Sequence, residues 1–479
     1  MASNRAEVAG AEATSADKGL WDSRSLGDSS LELDLTDIAH GGLCVGRAGD
    51  GRVVFARGGI PGERVRVQIM RAKKRFATAV VQQVLRAVPQ RIAHPWPAGA
   101  AGATGAADFG HIDLDFQREL KGRVIRTQVE RIGGAELAEQ LADMELTARS
   151  IDPRGEAEAK HHGGTLGPGW HTRTRFDVVK LPTGVGMYRE HSHELIPLDS
   201  MPLAVGELES LGVCGAAWDS VIAPSTRLHV VAPASGPNAI VILGEHERRG
   251  NGHRASGAPP IGAELRRIGD GVVILEESDG VLHERASDGR ELYDYDLAPA
   301  GFWQIHHRAP SALLTRVMRG AQLAGGERVL ELFAGAGLFS LPMARAIGAQ
   351  GRLLTLEGSE RAVANGVSNL SRYPWAQARQ AWIDARTVRQ ALAEARPELV
   401  IADPPRAGLG IDCAREIAVD SAVQRVVLVS CDPAAMARDT GVFAHAGWRV
   451  RSCEVLDLFP HTHHIETVCL LTRKMENIY

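Results

Sequence analysis

The stretch RVLELFAGAGLFSLPMARAIG, Arg328 to Gly348, carries the reading of the fold. Its first five residues are an apolar run of strand length. FAGAGL is a turn of small residues, and FSLPMARAIG repeats apolar residues at helical spacing before a closing glycine. Strand, glycine turn and helix in that order open a doubly wound α/β sheet. The rhythm continues downstream: RLLTLE ends at Glu357, the spacing predicts a helix from Ser359 to Leu370, and ELVIA, RVVLVS and ETVCLLT supply further apolar strands. Gly335 and Gly337 let a ligand approach the backbone and use free N–H groups at the helix start. A plain strand-to-helix turn is the alternative. Glu357 sits where an acidic side chain accepts ribose hydroxyls, or else is a solvated strand-end carboxylate. A dinucleotide fingerprint wants a third glycine where this chain has Ser340, which argues against NAD.

Further along, ADPPRAG (Ala402 to Gly408) closes another apolar strand, and its prolines stiffen a loop presenting Asp403 and Arg406 at the sheet's carboxyl edge, where ligands bind. A structural aspartate in a stiff turn is the plainer reading. VVLVSCDPAAMARD sets Cys431 between a buried strand and a helix whose first turn holds Pro433. A thiol near helix N–H groups has a lowered pKa and acts as a nucleophile, whereas a buried core cysteine would be inert. In LFPHTHHIETVCLL, Glu466 heads the last strand behind His461, His463 and His464. The tract lacks the ligand spacing of a metal site, so these histidines read as surface or supporting groups and no metal is expected.

Upstream, residues 1–30 are small, polar and mixed in charge and read as a disordered tail. Over residues 31–90 the runs LELDL, GRVVFA, ERVRVQIM and ATAVVQQVL, punctuated by glycine turns, predict a small β-barrel. AGAAGATGAA (Ala98 to Ala107) reads as a loop, and HIDLDFQRELKGRVIRTQVERIGG as a helix stopped by Gly133 and Gly134. The segment 91–297 reads as an α+β region with antiparallel strands, and 298–479 as the α/β domain. The 479 residues carry 54 Lys and Arg against 58 Asp and Glu, a net charge of -4, so any nucleic-acid contact must come from a local basic patch. Six cysteines lie scattered with no C-x-x-C spacing, which excludes a disulfide framework or zinc finger and fits a reducing cytoplasm. Neither a signal-peptide core nor an apolar run of membrane-spanning length is present.

FWQ (Phe302 to Gln304), ELFAGAGLFSLPMA, Glu357, ADPPRAG, VSCDPAAMARD and FPHTHHIE, in that order, resemble the S-adenosylmethionine-dependent RNA uridine carbon-5 methyltransferases. The N-terminal barrel resembles a TRAM RNA-binding domain, and FGHIDLDFQRELKG, WHTRTRF and GMYREHSHELIPLDSMPL resemble the family's middle region. The resemblance implies an N-terminal OB-like barrel, a central α+β region and a C-terminal Rossmann-like class I methyltransferase domain. It makes Cys431 the nucleophile and Glu466 the general base. Gln304, Phe333, Gly335, Gly337, Glu357 and Asp403 would contact the cofactor, with Asp384 near the adenine. The implied partner is rRNA or tRNA, with the barrel favouring rRNA, and the implied state is a cytoplasmic monomer. Arg64, Arg66, Arg71, Lys73, Lys74 and Arg75 beside Phe76 then read as a phosphate patch with a stacking ring, or else as a solvated barrel face. Three departures stand out: Thr104 to Ala107 replace the cysteines of the family's iron–sulfur segment, so no cluster is expected; His306 replaces an asparagine; and Leu338 replaces a polar residue. An RNA-binding or RNA-folding protein of the same architecture with little turnover is the alternative function.

Overall fold

The computed structural model describes residues 30–161, 166–245, 272–276 and 280–473; apart from Ser30, which opens the first strand, the predicted tail lies outside them. Strands β1 (Ser30–Ile38), β2 (Cys44–Arg47), β3 (Val53–Arg57), β4 (Arg64–Ala72) and β5 (Phe76–Arg86) close into a barrel in the order β1-β2-β3-β5-β4. Alternation builds it: Leu33 and Leu35 point inward between exposed Glu32, Asp34 and Thr36. The basic patch is smaller than the sequence suggests. Arg64 and Arg66 pair with Asp34 and Glu32 across the β1–β4 ladder, so their charge is locally cancelled. Lys73, Lys74 and Arg75 stand exposed at the β4–β5 turn, with the Lys73 ammonium 5.2 Å from the Phe76 ring centre.

After the loop, in which Ala107 is buried, come α1 (Leu114–Gln128), α2 (Ala135–Leu141), β6 (Arg149–Ser150) and α3 (Pro153–His161). Asp113 caps α1 through the N–H groups of Asp115 and Phe116, and the predicted helix ends in a π turn over Val129–Gly133. Strands β7 (Arg175–Lys180), β8 (Val185–Tyr188) and β9 (Leu195–Leu198), helix α4 (Gly206–Glu209), then β10 (Thr226–Val231), β11 (Asn238–Glu245) and β12 (Val272–Glu276) follow. The strands form one sheet ordered β12-β11-β10-β7-β8-β9. Its described pairs are antiparallel except β11 with β12, which is parallel and departs from the expected pattern.

The hairpin β13 (Leu282–Ser287) and β14 (Leu292–Leu297) leads through α5 (Ala309–Ala321) into the α/β unit. This unit contains β15 (Arg328–Leu332), α6 (Ser340–Ile347), β16 (Arg352–Glu357), α7 (Glu360–Leu370), β17 (Ala376–Gln380), α8 (Ala385–Ala395) and β18 (Leu399–Ala402). It ends with α9 (Ile411–Val419), β19 (Arg425–Ser430), α10 (Pro433–His445), β20 (Arg449–Asp457) and β21 (Glu466–Thr472). The sheet runs β17-β16-β15-β18-β19-β21-β20-β6, so the glycine turn after β15 lies where the strand order reverses. Because β21 runs antiparallel to β19, its first residue meets the carboxyl edge of the parallel strands.

Val426 and Leu428 pack on one face of this sheet in a core that also holds Leu120, Val124 and Ile125 of α1 and Leu137 and Leu141 of α2. Val427 and Val429 pack on the other with Leu313, Leu314 and Val317 of α5 and Tyr293 and Tyr295 of the hairpin. This sheet therefore draws its cover from both sides of residue 298. Gly133 and Gly441 pack backbone to backbone: a Cβ on Gly441 would come 2.5 Å from the Gly133 carbonyl oxygen. Lys121 and Arg118 of α1 reach Asp457 at the end of β20, at 2.6 and 3.1 Å, all three buried. Burial opposes the Asp457 charge, yet these two cations hold its carboxyl below the usual carboxylate range. Among the described residues no helix is long and apolar enough to cross a membrane.

Removing one partner of a buried ion pair leaves the other charge poorly compensated. Lys121→Met should lower the stability of the full chain by about 3 kcal/mol, read from urea or thermal unfolding. An unchanged transition would contradict this role.

Candidate active site

β15 carries Glu331 and ends at Leu332, and the chain then turns through Phe333, held at φ 60°, into Gly335 and Gly337 at φ 55° and 93°. A left-handed phenylalanine is strained, and such strain gathers at functional turns. A Cβ on Gly335 would meet nothing within 4 Å, so the turn faces open space. Glu357, at the end of β16, holds that turn: its Oε2 accepts from the Gly335 N–H at 3.0 Å and its Oε1 from the Ser359 N–H at 2.8 Å. Glu331 went unnoticed in the sequence reading, although a lone carboxylate in the apolar run RVLEL was a usable signal. It is buried, accepts from the Ser340 hydroxyl at 2.5 Å through Oε2, and leaves Oε1 without a protein partner. Burial, with Asp403 and Glu357 nearby, pushes it up to about 8.

Asp403 follows β18, and burial pushes its carboxyl up to about 7. Glu466 heads β21, is buried, and keeps Oε1 unpartnered. Burial and the neighbouring Asp403 raise it well above the ordinary carboxylate range. The ladder pairs Ser430 with Thr467, so the next residue of each chain, Cys431 and Glu466, come face to face at the sheet's edge.

The thiol departs from expectation. Asp432, the residue after it, caps α10 by accepting from the Ala434 and Ala435 N–H groups at 2.9 Å each. The helix amides are thus spent on a carboxylate. Burial first, then Glu466, Asp403 and Asp432, push the Cys431 thiol up to about 12, with Arg406 pulling the other way. Four of the six cysteines are buried; Cys431 and Cys214 are part-exposed.

The remaining expected residues are placed as follows. Gln304 is half-buried beside buried Trp303, whose ring lies 5.0 Å from Tyr295. Asp384 caps α8 through the Thr387 N–H at 2.8 Å, and that bond holds its exposed carboxyl below the usual range. His306 is buried, accepts from the Arg308 N–H at 3.0 Å, and is pushed down to about 3 by burial. Leu338 packs into the core, and its carbonyl accepts from the Tyr295 hydroxyl at 2.9 Å. The three histidines diverge: His461 stacks on Trp170 with centroids 4.2 Å apart, His463 lies 2.7 Å from Asp108, and His464 lies 3.3 Å from Arg406. Among the described residues no group of three His, Cys, Asp or Glu converges on a metal position. Thr104 bonds the Ala98 carbonyl at 2.6 Å, within its own loop.

Known proteins resemble this chain in sequence and in fold. A family model described as tRNA (Uracil-5-)-methyltransferase fits residues 273–474, and a TRAM domain model fits residues 29–81. A 23S rRNA (uracil(1939)-C(5))-methyltransferase, RlmD, of Halomonas elongata is 34% identical over 466 residues, covering 94% of this chain and 91% of the relative. An uncharacterized RNA methyltransferase of Streptomyces coelicolor is 32% identical, covering 93% of each. The crystal structure of the Pyrococcus abyssi tRNA (uracil-54, C5)-methyltransferase, in complex with S-adenosyl-L-homocysteine, shares the fold. Its TM-score is 0.60 at 19% identity, covering 92% of this chain and 99% of that one.

Buried carboxyls raised in the folded state bind protons there that the unfolded chain has lost, so they cost stability as pH rises from about 4 through the folded values. Glu466→Gln should therefore raise the thermal midpoint of the ligand-free protein at pH 7 to 8, with the gain fading toward pH 4. A gain that grows on acidification would contradict the raised values.

Proposed function

The chain belongs to the RNA (uracil-5-)-methyltransferase family, and from that premise we propose that it transfers a methyl group from S-adenosylmethionine to carbon 5 of a uridine in ribosomal RNA. Cys431 is the nucleophile and Glu466 the base. The observation that carries this reading is the pairing of β19 with β21, which sets a part-exposed thiol against a buried carboxylate with one unpartnered oxygen. A buried oxygen without a protein partner is costly, and a substrate atom that bonds it repays the cost.

The donor fits the residues at the sheet edge. S-adenosylmethionine, when bound, supplies an electrophilic methyl group on a cationic sulfonium. The open space over Gly335, the unpartnered Oε1 of Glu331 and the carboxylates of Glu357 and Asp403 suit a cationic guest with amine and hydroxyl donors. Gln304, Phe333, Gly335, Gly337, Glu357 and Asp403 would hold it, with Asp384 at the outer end. A positive charge beside Asp403 favours its ionised form and itself offsets the negative charge that raises the thiol.

Carbon 5 of uracil is a weak nucleophile. The Cys431 sulfur adds to carbon 6, giving an enolate whose carbon 5 takes the methyl group. Glu466 then removes the carbon-5 proton, the ring double bond re-forms, and the sulfur leaves as thiolate. With the resting thiol pushed up to about 12, attack requires loss of its proton in the complex; Asp403, ionised beside the bound cation, is the acceptor, which leaves Glu466 for the carbon-5 proton. The uridine must leave its stack to expose the ring face. Lys73, Lys74, Arg75 and Phe76 at the barrel turn supply phosphate contacts and a stacking ring for the surrounding RNA. The 34% identical rRNA methyltransferase supports rRNA over tRNA. We assign the chain to the cytoplasm as a monomer, in keeping with its unpaired cysteines.

Cys431→Ala should abolish methylation and leave S-adenosylhomocysteine binding near normal by calorimetry; retained turnover would overturn the mechanism. Glu466→Gln should permit attack and methyl transfer but stall at elimination, giving a slow-migrating protein–RNA band on a denaturing gel that Cys431→Ala removes. Absence of the band despite RNA binding would move the base elsewhere. For the substrate, 5-methyluridine mapping with and without the gene should show loss of one rRNA position with tRNA unchanged, and the reverse would overturn the rRNA assignment.

A further inference from the structure

The loop between β1 and β2 leaves the barrel and packs against Asp432, which follows Cys431, and His463, which precedes Glu466 by three residues. It closes on itself through Ala39 N–H donating to the Leu43 carbonyl at 2.7 Å, and Gly41 and Gly42 turn it at φ 81° and 74°. Gly42 presses against the PHTHHIE segment: a Cβ there would come 2.7 Å from His463 Cβ and 3.0 Å from the Phe109 ring. His463 is fixed from the other side by Asp108. From the same loop, His40 Nε2 lies 2.9 Å from Asp432 Oδ2, with His40 42% exposed and Asp432 17%.

That contact completes the surroundings of Asp432. Its Oδ1 accepts the two first amides of α10, and its Oδ2 takes the barrel's imidazole. We infer that His40 is a positioning residue for methyl transfer: by bonding Oδ2 it keeps the Asp432 carboxylate on the helix start and turned from the adjacent Cys431, so that barrel docking governs thiol reactivity. The inference rests on Cys431 being the nucleophile. The charged groups facing the thiol are Glu466 from β21, Asp403 and Arg406 from the segment after β18, and Asp432 beside it. His40 faces Asp432 alone among these, and together with the helix amides it holds that carboxyl below the usual range despite burial. Without the imidazole, a carboxylate oxygen is free to turn toward the sulfur, where negative charge opposes thiolate formation.

The test uses the full chain and two readouts. Cys431 alkylation by iodoacetamide, followed by peptide mass spectrometry at about pH 9, reports the thiolate fraction without requiring turnover. Steady-state kinetics on an rRNA fragment gives kcat and KM. His40→Ala should slow alkylation and kcat about tenfold each, the effect of a one-unit rise in the thiol pKa, while KM stays within about twofold. His40→Gln keeps an N–H donor and should restore most of both. In an Asp432→Asn background, His40→Ala should change alkylation no further. Wild-type alkylation in His40→Ala, or a loss confined to KM, would overturn the inference, the latter making His40 an RNA contact. Should Cys431→Ala still methylate, the nucleophile reading fails instead, and the alkylation comparison separates the two outcomes.

Discussion

The antiparallel register of β21 against β19 is the constraint on which the rest of the site depends. Ser430 opposite Thr467 brings the residue after one strand to the residue at the head of the other, two positions 35 apart in sequence. Side chains alternate along a strand, so a one-residue slip would turn Glu466 to the other face and break the pairing with Cys431. The register is secured by what packs on it. Val426 and Leu428 bury against α1 and α2, Val427 and Val429 against α5, and Lys121 with Arg118 pins the end of β20 just before the loop that feeds Glu466.

Holding that geometry gathers negative charge out of water. Glu331, Asp403 and Glu466 all have raised carboxyls, and burial with Glu466 and Asp403 nearby raises the Cys431 thiol as well. On the proposed function, the thiol and Glu466 keep their protons until a positive donor and a uracil ring shift them. A thiolate exposed at rest would be open to oxidation, whereas in the proposed mechanism this one forms only once substrate is bound. The barrel takes part in that arrangement through His40 and Gly42, which makes it more than an RNA tether.

Much of this was legible in the residues. The glycine turn flanked by strand and helix, the two-proline loop and the strand-end cysteine each stood at the sheet edge that the sequence predicts. The misses have physical causes. β2, four residues long, is too short to show periodicity, and the parallel partner of β11 joins it across a long intervening stretch. Arg64 and Arg66 look like a phosphate patch until pairing across β1 and β4 sets carboxylates beside them, which only register reveals. The lowered thiol expected from a helix start reversed chiefly because burial and the neighbouring Glu466 and Asp403 oppose its charge, while Asp432 holds the helix amides; the Asp-Pro pair after the cysteine is a capping signal for the last of these. Glu331 was overlooked because a single acid in an apolar strand reads as noise until its burial is known.

The central claim is that the Cys431 sulfur bonds to the target uridine during methyl transfer. RNA carrying 5-fluorouridine tests it most directly in the wild-type chain, because after methylation carbon 5 bears fluorine and methyl and offers Glu466 no proton. The adduct should then persist, and mass spectrometry should find the methylated fluorouridine on the peptide from Val426 to Arg438. A trapped nucleotide on any other residue, or methyl transfer to carbon 5 with no adduct at all, would contradict the account.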